Sequence, residues 1–237
     1  MYKQFVMRFT LMSMTLYSAP AFAQHDGDVF VGRSSAGQLK IGGFIPDDNI
    51  VLLPAVSGLF NGWSDNNPGF DRVVTADPVI DLNPLQSGVQ VRLEVVQVDP
   101  AFQAITSSLQ IIENPGQRAL LGGSNLHAHL TWLVNSGHAL FDPLKVLWRA
   151  TFKLVDTGST GYTESAPFTF YFAIVDCIRG DTNEDGEINA MDIAAFIDTV
   201  LDPSSKSPAD RCRADVNLDG YATIDDVVEF VEMLLSQ

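Results

Sequence analysis

The chain has 237 residues, with 14 Lys and Arg against 29 Asp and Glu for a formal net charge of −15, and it is 46% hydrophobic and 18% charged. That apolar fraction supports a packed core and excludes a disordered polyanion. The acidic balance also excludes nucleic acid as a partner, because phosphate binding asks for a basic face.

Met1 to Ala23 read as a secretory signal. Lys3 and Arg8 supply positive charge, Phe9 to Tyr17 an apolar run, and Ala21-Phe22-Ala23 a small-x-small cleavage site. The run is short for a bilayer span, and no later stretch approaches about 18 uninterrupted apolar residues. The expected mature chain starts at Gln24, is secreted to the extracellular space or periplasm, and has no membrane span. An oxidising compartment favours a disulfide between the two cysteines, Cys177 and Cys212, with two free thiols as the alternative.

Residues 24–175 carry the period-two pattern of strands. Val29-Phe30-Val31 and Leu39-Lys40-Ile41 flank a Gly/Ser turn and predict a hairpin, and Val91-Leu93-Val95 alternate up to a register change at Val96. Leu144, Val146, Trp148, Ala150, Phe152 and Leu154 share one face, opposite Lys145, Arg149, Thr151 and Lys153, and Phe168, Phe170, Phe172 and Ile174 share another. Gly, Pro and Asn clusters separate these runs. With no long helical stretch in competition, the expectation is one antiparallel β-sandwich, and the fold class of the chain is mainly β.

Candidate chemistry in this region is sparse. Leu126 to Trp132 alternates, which sets His127 and His129 on one face of a strand, about 6–7 Å apart. Such a pair can ligate copper or zinc, with His25 or His138 as a third ligand, or simply occupy a solvated sheet face. Ser124 lacks the Gly-x-Ser-x-Gly frame of a nucleophile elbow. Asp142, Asp156 and Glu164 have no spacing that marks them as a glycosidase pair, so the reading leans away from an enzyme. Trp63, Trp132 and Trp148 offer a sugar-stacking platform, although Trp148 falls on an apolar strand face.

Residues 176–237 are the acid-dense end, with 15 acidic and 4 basic side chains. Here residues 181–192 repeat as 215–226: Asp181 aligns with Asp215, Asn183 with Asn217, Asp185 with Asp219, Gly186 with Gly220 and Asp192 with Asp226. Oxygens at positions 1, 3, 5 and 12, a backbone carbonyl at position 7 (Glu187, Tyr221) and a donor at position 9 (Asn189, Thr223) form the donor set of a hard cation. That set predicts two Ca²⁺ sites. Each loop runs into an apolar helical pattern, Ile193, Phe196, Ile197, Val200 and Leu201 in one repeat (181–202) and Val227, Phe230, Val231, Leu234 and Leu235 in the other (215–236). The Pro/Ser-rich stretch 203–211 reads as a linker.

These loop–helix pairs, with Asp in place of Glu at position 12, resemble the type I dockerin, a tandem EF-hand-like (F-hand) module, over residues 180–236. The resemblance implies Ca²⁺ binding and an extracellular cohesin-like partner. Positions 10 and 11, Ala190-Met191 and Ile224-Asp225, depart from the Ser-Thr pair common in that family. In residues 24–175, a His-Asp opening, Asn67-Pro68-Gly69-Phe70, the His-x-His strand and Ser165-x-Pro167-Phe168 resemble a family of uncharacterised secreted bacterial β-proteins. The combined expectation is a secreted, calcium-binding, non-catalytic protein with a docking or structural module. The alternatives are a polysaccharide-binding or polysaccharide-hydrolysing protein delivered by a dockerin, and a Cu/Zn-binding protein.

Overall fold

The computed structural model describes residues 27–58 and 60–236; the expected signal at 1–23 and the candidate ligand His25 lie outside the described residues. In chain order the strands are β1 (Val29–Arg33), β2 (Leu39–Gly43), β3 (Ile50–Leu52), β4 (Ala55–Val56), β5 (Gly62–Asp65), β6 (Phe70–Arg72), β7 (Val91–Val98), β8 (Phe102–Ile105), β9 (Ile111–Ile112), β10 (Arg118–Gly122), β11 (His127–Ala128), β12 (Thr131–Asn135), β13 (Leu147–Asp156) and β14 (Phe168–Ala173). Three helices follow, α1 (Ile193–Leu201), α2 (Pro208–Ala214) and α3 (Val227–Leu235).

The mainly β expectation holds, with antiparallel pairing dominant. The strands divide over three sheets, ordered β11-β6-β1-β2, β10-β7-β13-β14-β3 and β4-β5-β12-β8-β9. Two pairings are parallel, β1 with β6 and β14 with β3. The predicted β1–β2 hairpin forms, with Val31 opposite Ile41. The register change at Val96 is a β-bulge: Phe152 pairs with Val95 and Thr151 with Gln97, which leaves Val96 as the extra residue.

One apolar core joins the three sheets, because Val31 and Phe70, Leu93 and Phe152, and Phe102 and Trp132 all belong to it. Trp132 is fully buried, with the rings of Phe170, Phe172, Phe152, Phe70 and Phe102 all within 6.3 Å of its own. Its indole N–H, which would be costly to bury unpaired, donates to the Pro68 carbonyl.

The C-terminal segment has its own small core of Phe196, Ala214, Ala222 and Phe230. Phe196 and Phe230, at equivalent positions of the two repeats, stack with centroids 3.9 Å apart. The other apolar helix positions are not all covered: Ile197, Leu201, Val231 and Leu235 stay exposed. The 203–211 stretch, expected as a linker, contains most of α2. The local chemistry explains it, since Ser207 caps the helix by accepting from Asp210 N–H, Pro208 begins it, and the Asp210 carboxylate accepts from Ser207 N–H in return.

β13 begins at Leu147, later than the alternation suggests, and Lys145 is buried instead of facing solvent. The reason is the second repeat packed over this stretch. Val146 N–H donates to the Gly220 carbonyl at 2.9 Å, Lys145 Nζ to the Asp219 carbonyl, and an Arg211 guanidinium N–H to the Pro143 carbonyl.

Candidate metal-binding loops

In the first loop, the Asp181 carboxylate accepts from the amides of Asp185 and Gly186, and Asn183 Oδ1 accepts from Asp185 N–H. At position 12 Asp192 reaches back, accepting from Asn183 N–H at 3.0 Å and Asn189 N–H at 2.9 Å. The second loop repeats this geometry: Asp215 accepts from Gly220 N–H, and Asp226 from the amides of Val216, Asn217 and Thr223. The loop curls tightly enough to bring its own amides to the shorter Asp side chain at position 12.

Positive φ angles at Glu184 and Gly186, and at Leu218 and Gly220, give both loops the same curl. Asn189 and Thr223 accept from Met191 N–H and Asp225 N–H and cap the turns that lead into α1 and α3. Every predicted ligand of each loop therefore lies on one curled segment, with the carboxylates of positions 1 and 12 on its inner side.

The two loops differ in cover. Asp181 and Asp192 are buried while Asp185 and Glu187 are exposed, whereas in the second loop Asp215 and Asp226 are fully buried and Asp219 and Tyr221 are half-buried. Burial pushes the Asp215 carboxyl up to about 7 against the pull of the Arg179 guanidinium and the Gly220 amide, with Asp226 and Asp219 adding repulsion. Burial also raises Asp226. Asp215 Oδ2 is buried without a hydrogen-bond partner. An orphaned carboxylate oxygen among acidic neighbours fits a bound cation, and the all-oxygen donor set fits Ca²⁺.

Cys177 and Cys212 form a disulfide with Cα atoms 6.1 Å apart, joining the chain ahead of the two loops. Two loop–helix repeats around a shared phenylalanine stack, closed by this bridge, define a tandem F-hand module. Residues 179–235 match the family model of the dockerin type I domain, a similarity that supports reading this segment as a docking or structural module. No curated protein and no solved structure matches the chain.

The histidines are placed differently from the sequence expectation. The run 126–132 is two strands, since β11 pairs with β6 while β12 pairs with β5 and β8, and the chain changes sheets at His129–Leu130. His127 and His129 nonetheless meet, with ring centroids 5.1 Å apart. His138 follows the far end of β12, where its Nδ1 accepts from Leu140 N–H, and it is not grouped with them. Asp28, which periodicity did not single out, joins the pair: ligand atoms of Asp28, His127 and His129 all lie within 4.8 Å of one another.

The sugar platform does not exist. Trp132 and Trp148 are fully buried, with Trp148 Nε1–H donating to the Pro100 carbonyl, and half-buried Trp63 stacks on Phe141. The carboxylates weighed for hydrolysis have structural partners. Asp156 holds the 156–160 turn through Gly158 and Thr160, Glu164 pairs with Lys153, and Asp142 accepts from Leu144 N–H. Among the described residues no helix is long and apolar enough to cross a membrane.

Proposed function

We propose that this is a secreted, calcium-stabilised docking protein. In this reading Asp181, Asn183, Asp185, Glu187, Asn189 and Asp192 hold one Ca²⁺, Asp215, Asn217, Asp219, Tyr221, Thr223 and Asp226 hold a second, and Glu187 and Tyr221 contribute backbone carbonyls. The carrying observation is the pair of like loops that bury carboxylates at positions 1 and 12, with Asp215 Oδ2 left unpartnered. Bound Ca²⁺ would supply the charge that offsets carboxylate repulsion. The chain's own part is to place these oxygens and to couple the loops to α1 and α3 through the position-12 residue that starts each helix.

The partner surface is argued from the duplication. Ile197 and Leu201 on α1 and Val231 and Leu235 on α3 are equivalent by the 34-residue shift and all exposed, so each helix offers an apolar stripe to an extracellular, cohesin-like protein. Ala190-Met191 and Ile224-Asp225 would set a specificity distinct from that of partners selected by Ser-Thr.

Calorimetric titration of the full chain tests the reading. Two equivalents of Ca²⁺ are expected, falling to one in either Asp181→Ala or Asp215→Ala, and chelation should lower helical circular dichroism while the β signal persists. Absence of calcium heat, together with unchanged spectra in chelator, would overturn it.

A further inference from the structure

We propose that Asp28, His127 and His129 form a second metal site, separate from the acidic loops and built for a divalent transition metal of zinc's class. Sheet pairing assembles it from two distant parts of the sequence, around 28 and 127–129. β6 lies between β1 and β11, with Phe70 opposite both Val29 and Ala128, so the residue before β1, Asp28, and the residue after β11, His129, come to the same end of one sheet, with His127 opposite Asp71 next to them.

Asp28 is the decisive member. Its carboxylate is 3% exposed; Oδ1 accepts from Gly69 N–H at 2.8 Å, while Oδ2 is buried without a hydrogen-bond partner and faces His129 Nε2 at 3.9 Å. Tetrahedral zinc, with donors at about 2.0–2.1 Å, needs donor–donor separations of about 3.4 Å. The Asp28–His129 pair is therefore about half an ångström from a ligating separation, within the reach of a small side-chain rotation.

The surroundings orient the imidazoles. His129 Nδ1 lies 3.0 Å from the Asn66 carbonyl, which can only accept, so Nδ1 donates there and Nε2 is the ring nitrogen turned to Asp28. The ring lies flat over Gly69, where a Cβ would come within 2.5 Å of it. Asp71, paired with His127 across β11 and β6, sits 3.9 Å from His127 Nδ1 as an orienting carboxylate. Two imidazoles and one carboxylate without thiolate select zinc and its neighbours over Ca²⁺.

The test uses the full chain with its acidic loops saturated by Ca²⁺. Zn²⁺ is titrated calorimetrically, and Co²⁺ is followed by its visible absorption as a nitrogen-ligand signature. One equivalent is expected. Asp28→Asn keeps an amide oxygen for Gly69 N–H but removes the anionic donor, and should weaken Zn²⁺ binding at least tenfold. The pair His127→Ala with His129→Ala should abolish it, and Asp71→Asn should weaken it about tenfold, with Ca²⁺ titration unchanged in all three. Absence of Zn²⁺ binding by the unmodified chain overturns the proposal, as does unchanged affinity in the double histidine variant, whose half-exposed positions make it the variant that keeps the fold.

Discussion

Lys145 Nζ lies 3.0 Å from Asp99 Oδ2, with both groups buried, and the same ammonium donates to the Asp219 carbonyl and sits 4.7 Å from the Tyr221 ring centre. One cation thus links the β7–β8 turn, the run into β13 and the second loop. Replacing it by Met should cost about 3 kcal/mol, since the buried Asp99 charge loses its close partner and keeps only the more exposed Arg149 guanidinium at 4.0 Å. Denaturant unfolding measures that loss, and hydrogen exchange should show weaker protection of the Gly220 to Thr223 amides than in the unmodified protein.

The two loop glycines separate conformation from contact. Gly186 has φ +87° and nothing within 4 Å of an added Cβ, so Gly186→Ala should cost roughly 1–2 kcal/mol for the left-handed backbone alone. Gly220 has φ +95°, and a Cβ there would lie 2.3 Å from the Leu147 carbonyl oxygen. Gly220→Ala should therefore exceed Gly186→Ala by about 2 kcal/mol or more, with part of the loss appearing in the β-domain contact. Equal losses on thermal unfolding would remove the argument.

The small helical core depends on its staple. The bridge between Cys177 and Cys212 spans a sequence separation of 35, which in the loop-entropy account stabilises by about 4 kcal/mol. Paired Cys→Ser substitution should make the helices melt ahead of the sheets, read as two transitions in far-UV circular dichroism. Phe196→Ala, which removes half of the ring stack, should cost about 3–5 kcal/mol and give the same split.

Helix α2 gives a local test of capping and of pH. Ser207→Ala should cost about 1 kcal/mol. The Ser207 hydroxyl donating to Asp210 holds that carboxyl below the ordinary range. A folded value lower than the unfolded one means that its stabilisation is complete above the ordinary carboxylate value and disappears as pH falls through the lowered one. The acid limb of the stability curve should therefore flatten in Ser207→Ala, and an unchanged limb would count against this cap as its source.

The strands of the β-domain were legible where one face is buried. Phe168, Phe170 and Phe172 all point inward as their alternation requires, and even the bulge at Val96 showed as a break in period. Lys145 departs from its alternation because its burial depends on a residue 74 positions away, which no local period reports. The signal for α2 is local and present in the chain, since Ser207 and Asp210 make a capping box with Pro208 at the first helical position, but the same residue types also suit a loop.

The paired loops and the two cysteines that bridge are legible in the chain alone, because each loop is a contiguous device whose polar side chains are spaced by local chain geometry. The burial of the second loop against the run into β13, and the placement of Asp28 in place of His138 beside His127 and His129, follow from long-range packing. Those outcomes rest on strand order, above all the parallel pairing of β1 with β6, and side-chain periodicity carries no information about which strand lies next to which.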